Sequence, residues 1–241
     1  MLVLALDTSA DITVALVRDG RTLAHRRVAE QRRHAELLAP LVVEVLAEAG
    51  LAADGLDVVV VGTGPAPYTG LRAGLVTART LAWSLSIPVH GVCSLDAFAV
   101  QAFAAGVAGG SDEVLVVTDA RRKEVYTARY RRGVDGSTVG PGPLGLAADV
   151  ERVAAPTVVS PAALAGDAST ARAVVVGPGA ALYPQDLTPA PGAPTELDPS
   201  VLARLAVLRA VGGLAQPTEP LYLRRPDVLP SAGRKRATER A

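Results

Sequence analysis

Leu2-Val3-Leu4-Ala5-Leu6-Asp7-Thr8-Ser9 and Val114-Leu115-Val116-Val117-Thr118-Asp119 are the stretches whose reading decides the fold. Each is a short apolar run stopped by an aspartate, the pattern of a strand covered on both faces. After the first, Ile12 to Val17 is rich in strand formers, Arg18-Asp19-Gly20 supplies a turn, and a hairpin continues through Leu23 to Val28. After the second, Val125 to Tyr130 and Arg131-Arg132-Gly133 repeat that arrangement. From Asp7 to Gly20 is 13 positions; from Asp119 to Gly133 is 14. A second landmark agrees: Val59-Val60-Val61-Gly62-Thr63-Gly64 is echoed by Val174-Val175-Val176-Gly177-Pro178-Gly179, with Gly62 55 positions past Asp7 and Gly177 58 past Asp119. Matched landmarks at matched offsets predict a duplicated hairpin-plus-helix unit in an α/β chain.

Between the landmarks the period changes to that of helices. Leu37, Leu38, Leu41, Val42, Val45, Leu46 and Ala49 follow helical spacing, with Gly50 as the stop. A second helix starts near Thr69 or Gly70, carries Leu71, Leu75, Ala78, Leu81, Ala82 and Leu85, and ends before Pro88. Val58 to Val61 and Val89 to Val92 read as strands, Leu95 to Ala105 and Glu196 to Leu214 as further helices. The stretch from Gly140 to Ala171 is rich in Pro, Gly and Ala, which predicts shorter and less regular elements in the second copy. The tail from Leu229, with Arg234-Lys235-Arg236, reads as disordered.

Composition narrows the function. At 241 residues the chain suits one large or two small domains. With 49% hydrophobic and 20% charged residues it can bury a core. Mean hydropathy is positive, +0.30, yet no run approaches the roughly 20 apolar residues of a membrane span. The apolar run before Asp7 is also shorter than the roughly 7–15 residues of a secretory signal's apolar region. One cysteine, Cys93, excludes an internal disulfide and a multi-cysteine zinc site, so a reducing cytoplasm is expected. Basic and acidic residues balance at 24 each, and the pI of about 6.8 lies below the range above about 9 that marks a dedicated nucleic-acid domain.

The candidate chemistry is sparse. Asp7-Thr8-Ser9 and Asp119 sit at strand ends, where open α/β sheets place ligand groups. Two facing repeats would bring both carboxylates to one cleft, suited to a hydrated Mg²⁺ under a nucleotide phosphate. The other reading, favoured here, is that each caps its own turn. Gly62-Thr63-Gly64 could offer amides to phosphate, but no Gly-Lys-Ser/Thr follows, and the chain's two lysines, Lys123 and Lys235, lie far off. A rigid strand-to-helix turn explains it as well. His25, His34 and His90 are never three to five apart, so no helical metal pair exists, and His34 is read as a cap or surface residue. Cys93 reads as a small core residue. The first two helices carry apolar residues beyond a single stripe, Ala35, Val43, Ala73 and Val76. Either they pack a crowded core or they meet a partner's helices in a four-helix bundle; the partner reading is favoured.

Four blocks then coincide with a known pattern: Leu4-Ala5-Leu6-Asp7-Thr8-Ser9; Val61-Gly62-Thr63-Gly64-Pro65 with Tyr68-Thr69-Gly70-Leu71-Arg72-Ala73-Gly74; Asp119-Ala120-Arg121 with Glu124-Val125-Tyr126; and Pro220-Leu221-Tyr222-Leu223-Arg224. Together, over about residues 2–226, they resemble the TsaB family, bacterial partner subunits in threonylcarbamoyladenosine modification of tRNA. The resemblance implies an actin/sugar-kinase-like (ASKHA) fold with two ribonuclease-H-like repeats: 1–107, a degenerate 108–197, a C-terminal helix and strand at 198–226 packing back on the first repeat, and a tail at 227–241. It implies a non-catalytic scaffold binding a TsaD-like catalytic subunit as a heterodimer, joined by a TsaE-like ATPase, with homodimers when the partner is absent. It implies tRNA contact only through the complex, ATP and Mg²⁺ used by the complex, no metal site, and no membrane. The interface residues it suggests are Leu37, Leu38, Leu41, Val42, Val45, Leu75, Val76 and Arg79. Its motif residues are Asp7, Thr8, Ser9, Gly62, Gly64, Thr69, Gly70, Leu71, Arg72 and Asp119.

The departures are informative. Ala66, Pro67 and Tyr68 stand where the family loop has Gly, Ser and Phe, which weakens a glycine-dependent phosphate cradle. Ser94-Leu95-Asp96-Ala97-Phe98 lacks the His-x-x-x-His of the catalytic relative. The alternatives kept open are an independent Mg-ATP phosphotransferase of the same fold and a glycoprotease-type metallopeptidase.

Overall fold

A computed structural model describes residues 1–30, 33–109, 111, 113–133 and 149–224. The tail and part of the Gly140–Ala171 stretch lie outside these. Two mixed sheets form. The first has the order β3 (Arg21–Val28), β2 (Ile12–Arg18), β1 (Leu2–Asp7), β4 (Val58–Gly62), β5 (Val89–Val92). The second has the order β8 (Val150–Val159), β7 (Glu124–Arg132), β6 (Glu113–Arg121), β9 (Val174–Val176). In each, a central strand pairs antiparallel with its hairpin partner and parallel with a later valine run: β1 with β2 and β4, β6 with β7 and β9. The topology is duplicated.

The helices are not duplicated in length. The first repeat carries α1 (His34–Glu48) and α2 (Tyr68–Leu85); their counterparts are α4 (Pro161–Ala165) and a single 3₁₀ turn at Ala180–Leu182. The α1 helix ends where Gly50 takes φ +64° and the Leu51 amide donates back to the Leu46 carbonyl at 2.9 Å, so the glycine is used for its left-handed freedom. The α3 helix (Ser94–Ala104) and α5 (Pro199–Val211) pack on each other between the sheets. Each covers the other repeat's sheet: α5 lies on β1, β2, β4 and β5, and α3 on β6, β7, β8 and β9.

Alternation along β1 explains the layering. Leu2, Leu4 and Leu6 face α1 and α2, in one cluster with Val59, Val61, Leu38, Val45, Leu71 and Leu75. Val3 and Ala5 face the other way, in a cluster with Val60, Phe98, Val116, Tyr130, Leu202 and Leu205 that spans both repeats. Small residues at Ala5 and Ala15 leave room for α5 to approach.

Three expectations need correction. The expectation of shorter, less regular elements in the second copy holds for α4, the 3₁₀ turn and β9 but not for β8, a ten-residue strand. It pairs with β7 through two register shifts, and Pro156 falls beside the shift between Thr127↔Thr157 and Arg129↔Ala154, where no ladder amide is needed. The last helix begins at Pro199 rather than Glu196, because Asp198 caps it through the Ser200 amide at 2.8 Å. No strand follows α5 among the described residues. Instead, residues 214–224 form a strap: the Gly91 amide donates to the Gln216 carbonyl at 3.0 Å and the Leu221 amide to the Thr63 carbonyl at 2.9 Å.

Candidate functional site

The carboxyl ends of β1, β4 and β6 open into a cleft of about 490 Å³ between the repeats. Asp7 and Asp119 both line it, at equivalent places in the two sheets. Each caps its own turn: Asp7 Oδ1 accepts from the Ser9 amide at 2.7 Å, and Asp119 Oδ1 from the Arg121 amide at 2.7 Å. Asp7 also accepts from the hydroxyls of Ser9 and Ser94. Burial pushes its carboxyl above the ordinary carboxylate value, and the bonds from the two serines pull it partly back. Asp119 is held by Arg121 at 3.0 Å. Among the described residues no group of three or more His, Cys, Asp or Glu is arranged to hold a metal ion directly.

The motif glycines serve close packing. A Cβ on Gly62 would fall 1.7 Å from Asp7 Oδ2, and one on Gly74 2.3 Å from Thr8 Oγ1. A Cβ on Gly70 would meet the His34 ring and the Thr8 carbonyl at about 3.1 Å. Thr8 Oγ1 in turn donates to the Gly70 carbonyl at 2.9 Å. Gly64 takes φ +84° with Leu71 against it, and Leu71 itself is fully buried. These residues thus fix β1 and β4 to the start of α2. Thr69 is exposed at the cleft's rim. His34, expected at the surface or as a cap, is buried and lines the cleft; Arg33 occupies the cap position and makes no side-chain cap.

The helix-face residues divide sharply. Leu38, Leu41, Val42, Val45 and Leu75, read from sequence as partner contacts, are core positions of this chain, 0–7% exposed, because they turn inward, α1 onto β2 and β3 and α2 onto β4 and β1. Leu37 is half-buried beside them. Val76 is 61% exposed, and Arg79 is exposed, donating to Thr218 Oγ1 at 2.8 Å and to its carbonyl at 2.7 Å. The outward faces of the two adjacent helices carry Ala35, Ala39, Val43 and Ala47 on α1, and Val76 and Trp83 on α2. Val43 is 65% and Trp83 83% exposed. Trp83 was missed in the sequence; it lies two helical turns from Val76 on the same face, which is the signal that could have found it.

Two further clusters lock the repeats. Asp96 accepts from Arg152 at 2.8 Å on both oxygens, from Arg209 at 2.9 Å and from the Tyr130 hydroxyl at 2.9 Å. Next to it Cys93 is buried, its thiol pushed up to about 12 by burial and by Asp96. On the strap, Tyr222 stacks on Tyr68 at 4.4 Å, Arg72 lies 3.8 Å over the Tyr68 ring, and Arg224 reaches the Ala120 carbonyl at 3.0 Å and Glu124. Arg72 is therefore a clasp between α2 and the strap.

Duplicated mixed sheets, crossed α3 and α5 and a cleft at the strand ends define the actin/sugar-kinase-like class. A family model described as TsaD, tRNA N6-adenosine threonylcarbamoyltransferase, matches residues 25–172. An uncharacterised protein of Mycobacterium leprae is 43% identical over 235 residues, covering 95% of this chain; the chain spans 56% of that relative's length. The tRNA threonylcarbamoyladenosine biosynthesis protein TsaB of Bacillus subtilis is 36% identical over 134 residues, 54% of this chain and 56% of that one. Solved YeaZ from Pseudomonas aeruginosa, 27% identical, superposes with a TM-score of 0.70 over 92% of this chain and all of that one. The chain belongs to the family of that model, on its TsaB side.

Proposed function

We propose that the chain is the non-catalytic scaffold subunit of an assembly that forms threonylcarbamoyladenosine in tRNA, and that it binds a TsaD-like catalytic subunit through the outer faces of α1 and α2. The observation that carries this is the uncovered apolar face, Val43, Val76 and Trp83, on two adjacent helices whose inner faces already fill the core. Such a face suits pairing with two equivalent helices of a related fold, as a four-helix bundle. The same face supports self-association when the partner is absent. In this reading the partner's competent conformation is favoured by the interface energy it alone can make. A TsaE-like ATPase joins the pair, tRNA is met through the assembly, and ATP with Mg²⁺ is used by its other members.

The test is reconstitution. Purified chain, TsaD-like subunit and TsaE-like ATPase are assayed for modified tRNA with each omitted in turn. Loss of product without this chain, restored by adding it, is expected. Full activity in its absence refutes the proposal, as does steady ATP turnover by the chain alone.

A further inference from the structure

Residues 214–224 cross from one repeat to the other, and none of them is buried. Leu221 and Tyr222 rest half-buried on the two large core clusters, and Leu214 is 58% exposed. In the first repeat the strap lies along the outer edge of β5, where the Gly91 amide meets the Gln216 carbonyl, and its Leu221 amide reaches the Thr63 carbonyl just past β4. Gly91 makes the seat: a Cβ there would fall 2.1 Å from the Pro217 carbonyl oxygen, so the strap comes down where β5 has no side chain. In the second repeat Arg224 holds the β6–β7 hairpin through the Ala120 carbonyl and Glu124. A segment held by exposed hydrogen bonds and little apolar contact opens at a lower free energy than the core beneath it.

The same strap touches the helix face on which the partner is proposed to sit. Arg72, Val76, Arg79 and Trp83 follow one another at spacings of four, three and four, so they form a single exposed stripe along α2. Its two arginines hold the strap. Arg72 donates to the Tyr222 hydroxyl at 3.0 Å; Arg79 donates to Thr218 at 2.8 and 2.7 Å, with the Glu219 carboxylate 3.8 Å away. A helix laid over Val76 and Trp83 takes water away from both guanidinium groups. With the strap closed, their donors are bonded within the chain; with it open, they are buried unsatisfied, which is costly for a charged group. A partner on this stripe thus binds the closed form more tightly, and that difference in affinity is what shifts the equilibrium.

On the reading that the partner sits on this stripe, we infer that the strap is a clasp that opens locally in the free chain and is shut when the partner docks.

Amide hydrogen exchange of the full ¹⁵N-labelled chain tests it, read at Gly91 and Leu221, with Ala5 and Val60 in the core strands as references. In the free chain the two strap amides should be at least about tenfold less protected than the references. Saturating unlabelled TsaD-like subunit should slow both by at least about fivefold. Arg79→Ala should speed Leu221 about two- to tenfold in the free chain, the range for a lost hydrogen bond. It should leave Ala5 and Val60 unchanged and, at saturation, show less slowing by the partner. Strap amides as protected as the references overturn the clasp. So does a bound partner that leaves them as fast as before, or one that protects the Arg79→Ala chain as fully as the parent. Sedimentation separates these from the remaining outcome, a TsaD-like subunit that does not bind, which removes the seat and overturns the partner reading together with the coupling.

Discussion

Leu75 and Val76 are neighbours in sequence and opposites in environment, 3% and 61% exposed, so the same substitution at each separates folding from assembly. Leu75→Asp places a carboxylate among Leu4, Leu6, Val61 and Leu71 with no partner. Burying an unpaired charge after removing a large apolar side chain costs about 3–5 kcal/mol or more, against a total stability of about 5–15 kcal/mol. The melting temperature should fall by roughly 6–20 °C. Val76→Asp leaves the carboxylate in water, within about 0.5 kcal/mol of the parent. In the complex the same carboxylate is buried between helices. A penalty of about 3 kcal/mol there is roughly a hundredfold loss of affinity. Circular dichroism melts of both variants, then sedimentation of Val76→Asp with the TsaD-like subunit, provide the assay. A Leu75→Asp that melts like the parent, or a Val76→Asp that binds like the parent, would refute the reasoning.

Three more outcomes follow from the cleft and its surroundings. Alanine normally outdoes glycine inside a helix by about 1 kcal/mol, yet Gly74→Ala should destabilise by about 1–3 kcal/mol through its 2.3 Å clash with Thr8 Oγ1; adding Thr8→Ala should recover more than about 0.5 kcal/mol in a double-mutant cycle, and simple additivity would contradict it. Because the folded Asp7 carboxyl is raised by burial, its contribution is present below the unfolded value of about 3.9 and is lost as pH rises through its own higher value. Asp7→Asn should gain on the parent across that window in a pH series of melts, and parallel curves would show that burial does not govern the group. Asp96→Ala leaves Arg152, Arg209 and Tyr130 without their shared acceptor; urea unfolding should show a loss of about 3–5 kcal/mol, and a loss below about 1 kcal/mol would show that the cluster is not needed.

The duplication was legible because valine runs closed by Asp or Gly at matched offsets leave few other readings. The lengths of α1 and α2 were legible too, since Gly50 and Pro88 punctuate them. Which face turns inward was not. On α1 the inner Leu38, Leu41, Val42 and Val45 and the outer Ala35, Ala39, Val43 and Ala47 are all apolar, so these positions alone do not orient the helix; packing against β2 and β3 decides it. The motif glycines raised two readings, phosphate cradle or tight turn. Only the positions of Asp7, Thr8 and His34 show that they make room for side chains of the same chain. The β8 strand was hidden by its Ala and Pro content, which pairing with β7 overrides.

Trp83 is the chain's one tryptophan and stands 83% exposed on α2. Replacing it with 5-fluorotryptophan gives a single ¹⁹F resonance, to be followed while unlabelled TsaD-like subunit is added at a concentration where the chain alone sediments as a monomer. The account predicts that the resonance moves and loses its sensitivity to exchange of H₂O for D₂O in step with complex formation, as the ring passes from water into the interface. A complex that forms while the resonance stays solvent-sensitive and unmoved would place the partner elsewhere and contradict the account.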